Sequence, residues 1–266
     1  MQRPGRDYIT AMHRFANPAR FVRLADRLLP WIISVAVICF ALGGYFAIFS
    51  SPADYQQMET VRIMYIHVPS AWMSMLTYII VAVASFTGLV WRHPLAFLTA
   101  KAAAPIGAAL TALTLITGSI WGYPTWGTWW EWADARMTSV LVLLFLYAGY
   151  MAMWQMMDDF DKACRATSIL ALVGVINIPI IKFSVDWWNT LHQGASIVRS
   201  GGPTIHSEMQ LPLFLMIIAF HAWLIALLLK RVKLELDRRK VAVMQQSLAS
   251  GLAHQLAPAP EKLEGQ

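Results

Sequence analysis

Charge is scarce in this sequence. Only 14% of its 266 residues are Asp, Glu, Lys or Arg, where an ordinary soluble domain carries roughly a quarter. Apolar residues make up 58% and mean hydropathy is +0.51, which excludes a water-soluble globule and a disordered chain. Cysteine is nearly absent. Cys39 lies in an apolar run and Cys164 in a charged stretch, so no disulfide is expected and a disulfide-stapled secreted domain is excluded. There is no CxxCH motif, so the chain is not itself a c-type cytochrome. There is no GxxxxGK[ST], so ATP is not bound through a P-loop. No Ser-His-Asp or paired-carboxylate arrangement stands out; catalytic residues are none, and the chain reads as no enzyme. The net charge of +6 would suggest nucleic acid in a soluble protein. Here the cations flank apolar segments, which points to orientation in a membrane and to no nucleic-acid partner.

What the chain has is apolar length. A hydrocarbon core about 30 Å thick takes roughly 20 apolar residues as a helix. Six stretches qualify, near 31–49, 68–90, 103–121, 138–157, 167–183 and 211–229. The fifth is the shortest, interrupted by Asn177, Pro179 and Lys182. The first is too long for a removable signal peptide and lacks a small-residue cleavage site. Backbone in lipid must satisfy its own hydrogen bonds, so the expected fold is all-α: a polytopic membrane protein of six transmembrane helices. All but four of the 21 Lys and Arg fall in the tails and the loops 91–102 and 158–166; the exceptions are Arg62, Arg136, Lys182 and Arg199. The positive-inside rule then places both termini in the cytoplasm and loops 50–67, 122–137 and 184–210 outside. The organisation expected is a basic cytoplasmic segment over 1–30, a membrane domain over 31–229 and a cytoplasmic tail over 230–266. The tail reads as a charged, partly amphipathic helix to about Leu256 with a frayed end beyond; it is a solvated extension or a contact surface for a soluble subunit.

Tryptophan is concentrated on the outer side. Trp121, Trp126, Trp129, Trp130 and Trp132 fall within twelve residues, and Trp187 and Trp188 sit in the next outer loop. An interfacial belt accounts for one or two rings at a span end. It does not account for five in a short loop with Gly122, Pro124 and Gly127 between them. A flat aromatic platform for a large planar apolar ligand fits better, because stacked rings stabilise beyond area burial. His67, in MYIHVPSAW, opens the second span where Pro69 suits a first helical turn, and His192 follows the second tryptophan pair in WWNTLHQG. Two outward histidines beside aromatic clusters suggest axial ligation of a metal inside a flat macrocycle. His206, fourteen residues beyond His192, is the rival. His221, midway along the sixth span, is either a functional intramembrane group or a hydrogen-bonded bundle histidine; His13, His93 and His254 read as solvated. Haem propionates call for cationic forks, and Arg136 and Arg199 are the outward candidates. Asp134 pairs with Arg136 or caps the fourth span.

The segment WGTWWEWADARMTS, from Trp126, resembles the tryptophan-rich WWD signature of bacterial haem-handling membrane proteins. MYIHVPSAW and DWWNTLHQG resemble the corresponding segments of the haem exporter protein C family of cytochrome c maturation. The resemblance runs from the first span through the sixth, and six spans is the number that family shows. It implies His67 and His192 as the axial ligands of the haem iron. It also implies the tryptophans at 121, 126, 129, 130 and 132, with Asp134 and Arg136, as the rest of the haem-binding loop, 121–137. One departure is Ala133, inserted where the family usually reads Trp-Asp; on a helix it would turn Trp132 by about 100° relative to Asp134. The implied function is to hold haem b, as cargo, on the periplasmic face of the bacterial inner membrane and present it to a haem chaperone. The implied partners are an ABC ATPase subunit, a second membrane permease subunit, a small single-span subunit and membrane lipid. A haem-containing quinol-linked oxidoreductase is the alternative.

Overall fold

A computed structural model describes residues 17–194, 196, 197 and 199–256, with the side chains of 246 and 250–256 left aside. Arg3, Arg6, Arg14, His13 and Lys262 of the expected tails lie outside the described residues, as does the end expected to fray beyond Leu256. Among the described residues there is no strand; the regular structure is helical, with one isolated bridge between Asp54 and Met58. The helices are α1 (Pro18–Phe49), α2 (Met64–Trp91), α3 (Pro94–Trp126), α4 (Ala135–Met156), α5 (Phe160–Gly174), α6 (Asn177–Trp187) and α7 (Ser207–Leu256), with a 3-10 turn at Glu59–Ile63 before α2. They supply six segments long and apolar enough to cross a membrane, α5 and α6 together making the fifth.

The helices start where the sequence supplies caps. Asn17, Asp134 and Asp159 each accept a backbone N–H from the first turn of α1, α4 and α5, and Pro18 and Pro94 occupy first-turn positions. His93 does the same for α3 through Nδ1 at 3.3 Å from Ala96 N, so this histidine has a structural task beyond solvation. The fifth span breaks at Val175–Ile176 because Pro179 has no N–H to return to the Val175 carbonyl; Ile178 N takes that carbonyl instead at 3.0 Å. Several helices outrun their apolar cores. α2 begins at Met64, so Pro69 falls in its second turn rather than its first. α3 runs to Trp126, which puts Trp121 and Trp126 on a helix end, not in a loop. α5 begins at Phe160, so Cys164 is a buried helical residue, not a loop residue, and both cysteines are free.

Lipid tails are as apolar as leucine, so helices in a bilayer associate through close packing and hydrogen bonds. α3 shows how. Ala100, Ala102, Ala103 and Ala104 are fully buried, and Gly107 meets the Tyr147 ring of α4, against which an added Cβ would lie 2.1 Å from Cζ. The Tyr147 hydroxyl then donates to the Ser74 carbonyl of α2 at 2.8 Å and its ring meets Tyr78 edge to face at 5.0 Å. Three helices are thereby fixed around one phenol. α1 is the outlier, packed chiefly on α7. Its buried residues are Ala25, Leu29, Ala36, Gly43 and Ala47, a mostly small-residue seam spaced by four and seven along one face of the helix.

The two ends of the bundle differ. One gathers the 54–63 turn, the end of α3, the start of α4 and the loop after α6. The other gathers the starts of α1, α3 and α5 with the far half of α7. α7 spans 50 residues, about 75 Å, so it continues well past the hydrocarbon. There is no break at residue 230. Val232 and Leu236 pack on Leu98 and Ala102, Glu235 is buried between Lys101 at 2.9 Å and Arg238 at 2.8 Å, and Lys233 pairs with Asp26. The first turns after 230 are thus part of the bundle, and the solvated extension begins near Lys240.

Gly107→Ala is expected to overpack this core by about 1–3 kcal/mol and to lower the unfolding temperature in detergent. Tyr147→Leu in the same chain should recover part of that loss, since the ring is what the methyl strikes. An unchanged melting curve for Gly107→Ala would mean the close approach is dispensable.

Candidate functional site

His67 sits on α2 facing α3. Its Nδ1 lies 3.0 Å from Thr117 Oγ1, and its ring meets Trp121 at 5.5 Å in a T-shaped contact. Thr117 has one hydroxyl proton, which goes back to the Leu113 carbonyl at 2.7 Å. Its oxygen therefore accepts from His67, the proton resides on Nδ1, and Nε2 keeps a bare lone pair. Gly118 makes room: a Cβ there would lie 2.9 Å from His67 Cε1. Thr117, Gly118 and Trp121 share one side of α3, so a helical reading back from Trp121 by one turn leads to Thr117.

His192 lies in the loop after α6, packed on Trp126 at 4.9 Å. Its Nδ1 is 3.3 Å from Asp134 Oδ2, and a carboxylate only accepts, so this histidine too is protonated on Nδ1 and bare on Nε2. Asp134 is only 2% exposed. Oδ1 caps α4 by accepting from Arg136 N at 3.0 Å and Met137 N at 2.9 Å, while Oδ2 accepts from Leu191 N at 2.8 Å as well as from His192. Burial alone would raise the Asp134 pKa. The backbone N–H groups of Met137 and Leu191, with His192, outweigh it and hold the carboxyl below its ordinary value. His192 goes the other way in balance. Burial lowers its pKa, and the pull of Asp134 does not make up the difference. The contact at neutral pH is therefore a neutral imidazole donating to a carboxylate, not an ion pair.

Of the two roles open to Asp134, the cap is the one adopted. Arg136 turns from it: Nε donates to Ser184 Oγ at 3.2 Å and a terminal nitrogen to the Lys182 carbonyl at 3.5 Å, joining α4 to α6. The tryptophans divide. Trp121 is anchored by Nε1 donating to Gln57 Oε1 at 3.0 Å, and Trp129 stacks on Tyr123 at 4.3 Å and 16°. Trp130 meets Trp132 edge to face at 5.5 Å. Trp129 and Trp132 are 55% and 73% exposed, and Trp187 and Trp188 are also open. The stretch 127–134 is not helical. A turn from Glu131 to Asp134, with Glu131 Oε1 accepting from Ala133 N at 3.0 Å, absorbs Ala133, so the expected helical rotation of about 100° does not arise.

The remaining candidates from the sequence, Arg199 and His206, lie apart from this pair. Arg199 is exposed, in the loop before α7. His206 is exposed and accepts from Glu208 N through Nδ1 at 3.3 Å, capping α7. Thr117, Gln57, Tyr123 and Ser184 are the participants that sequence reasoning missed. Thr117 alone carried a signal, its one-turn spacing from Trp121.

Asp134→Asn replaces one carboxylate oxygen by an amide donor. It keeps an acceptor for the α4 cap but turns a donor toward Leu191 N–H and His192. His192 is expected to titrate at lower pH than in the parent, with its neutral proton moved to Nε2, in a nitrogen-detected NMR titration. The folded chain already prefers neutral His192. As pH falls below about 6.5, the unfolded chain takes up this proton first, so the site's contribution to stability declines until folded His192 itself protonates. Asp134→Asn should carry that decline to lower pH. An unchanged titration would break the link between the two residues.

A known family shares this chain's pattern. The family described as heme exporter protein C matches residues 11–247. A heme exporter protein C of Bradyrhizobium diazoefficiens is 53% identical over 238 residues, 90% of each chain. That of Escherichia coli K12 is 48% identical over 204 residues, 76% of this chain and 83% of the relative. That of Paracoccus denitrificans is 42% identical over 231 residues, 86% and 95%. With two bare imidazole nitrogens set against tryptophans at one end of a six-span helical bundle, the chain belongs to the heme exporter protein C family, a family of membrane transport proteins and not of enzymes.

Proposed function

We propose that this protein holds haem b at the periplasmic end of its bundle and presents it to a haem chaperone for cytochrome c maturation. His67 and His192 would be the axial ligands. The observation that carries this reading is the proton inventory: each imidazole spends its Nδ1 proton on a neighbour, Thr117 or Asp134, and is left with Nε2 free to bind iron. Both rings pack on tryptophans of the same helix end, Trp121 and Trp126. Among the described residues no cluster of three or more His, Cys, Asp or Glu side chains could hold a bare metal ion. A porphyrin supplies four ligands itself and asks the protein only for the axial pair. The exposed faces of Trp129 and Trp132 give a planar macrocycle a surface to lie on, with the half-buried Trp130 set edge to face behind Trp132, and Arg136 supplies positive charge beside it.

Two axial imidazoles make iron six-coordinate, and the carboxylate behind His192 raises the basicity of that ligand, which favours ferric iron. No bond is made or broken in the cargo apart from its axial ligation. In this reading energy comes from elsewhere, through an ABC ATPase subunit. A second permease subunit and a small single-span subunit complete the complex in the bacterial inner membrane.

His67→Ala and His192→Ala should each convert a low-spin, six-coordinate absorption spectrum to a high-spin one or lose haem. External imidazole should partly restore either. His206→Ala should leave the spectrum intact, since its ring caps α7. If His206→Ala abolishes the low-spin form while His192→Ala keeps it, the ligand in this loop is wrongly assigned.

The distribution of Lys and Arg supports an orientation with both termini in the cytoplasm. In a chain lacking Cys39 and Cys164, Ala133→Cys should react with a membrane-impermeant maleimide in intact spheroplasts. Asp158→Cys should react only after the membrane is opened. Reaction of both from the same side would refute the topology.

A further inference from the structure

The α1–α7 face holds a second feature that the outer site does not use. Trp31, Ile32 and Val35 of α1 and Ile217, Ile218, His221, Ala222 and Ile225 of α7 line a groove of about 470 Å³. That volume lies within the roughly 300–1,000 Å³ of small-molecule and cofactor sites. His221 is the one ionisable group in its wall. Its Nδ1 lies 2.8 Å from the Ile217 carbonyl, and a carbonyl only accepts, so the proton is on Nδ1 and Nε2 is a bare Lewis base. No described residue bonds that nitrogen.

The proton count narrows the occupant to one that brings a hydrogen-bond donor or a Lewis acid to the nitrogen. A ligand offering a carbonyl, such as a quinone, meets a lone pair where it needs a donor. A lipid tail or an apolar helix leaves the nitrogen unpaired in hydrocarbon, which is costly. An apolar ligand carrying a hydroxyl donor, such as a hydroquinone, or a Lewis acid set in an apolar plane satisfies both the nitrogen and the walls, and the haem-handling reading selects the second. We propose that this groove is a second iron-porphyrin site, in which His221 is the single protein ligand and the porphyrin reaches it directly from the lipid. The site is separate from the outer one. His221 is fourteen residues down α7 from Ser207, about 21 Å at helical rise. Arg27, one turn from Trp31 toward the basic end of the bundle, is exposed and available to a propionate. The inference rests on the haem-handling reading for the identity of the porphyrin. The groove and the free nitrogen stand without it.

The test is a hemin titration of the purified full-length protein in detergent, read by absorption and electron paramagnetic resonance. In a His67→Ala/His192→Ala chain the outer ligands are gone, and a high-spin, five-coordinate component is expected to remain. Adding His221→Leu should remove it. Val35→Trp, which fills the groove and leaves the imidazole in place, should remove it too and guards against a folding defect in the first variant. The inference is overturned if the double variant binds no high-spin haem, or if that haem survives His221→Leu. A signal that survives only Val35→Trp also overturns the groove as its seat. Failure of the outer-site reading shows differently, as a parent protein without the low-spin component that the double variant should lose.

Discussion

Asp134 is the residue on which the end of the bundle that carries His67 and His192 depends. One carboxylate starts α4, fixes the backbone of the loop after α6 at Leu191, and sets the tautomer of His192. These elements are far apart in sequence, and no ladder or disulfide joins them. A group with four donors can remain ionised while buried, because each donor replaces part of the hydration it has lost. Take the charge away and the cap, the loop and the imidazole no longer agree on where the protons belong. Arg136 adds a second tie two residues later, through Ser184 and the Lys182 carbonyl, so the start of α4 is bound to both ends of the segment that delivers His192.

Beneath that end, the bilayer imposes its own rule. With no hydrophobic drive between helices, α2, α3 and α4 are held by a close approach at Gly107 and a phenol that reaches a backbone carbonyl. Such a hydrogen bond contributes about 0.6 kcal/mol, so many small fits must act together. The result is a firm base for α3, whose last turns carry Thr117, Gly118 and Trp121. The precision with which His67 is seated follows from the packing a helical turn or more below it.

Much of this was legible in the residues. Six apolar runs gave the six spans, and Asp134 suits a cap of the fourth by residue type, whereas the caps at Asn17, His93 and Asp159 emerge only from the structure. The resemblance carried by the tryptophan loop and the two histidine segments pointed to the family. What was not legible was where helices end. Hydropathy stops at the lipid boundary, whereas α3 and α7 continue because their backbone bonds need no lipid. Hence Trp126 was assigned to a loop, and the turns after Lys230 to a tail. The local geometry at Ala133 was hidden for a related reason: a turn closed by the Glu131 side chain absorbs an extra residue that a helix could not. Ser184 and Gln57 were invisible because their partners are long-range, and nothing in a serine or a glutamine announces an arginine or an indole across the bundle.

His67 and His192 are not equivalent, and the difference bears on what the proposed site is for. His67 is set in the first turn of a long transmembrane helix, fitted against Gly118 and backed by a neutral hydroxyl. His192 hangs from a loop and is backed by a buried carboxylate. A resident cofactor would favour two firm ligands. A cargo that must be caught and then surrendered is better served by one ligand fixed to the scaffold and a second carried on a segment that can be displaced without disturbing a helix. In the proposed site the carboxylate would strengthen His192 as a ligand while the loop is docked on Asp134. Were Leu191 and His192 to leave that carboxylate, iron held in the proposed site would lose its stronger base, while Asp134 would still have its α4 cap to hold.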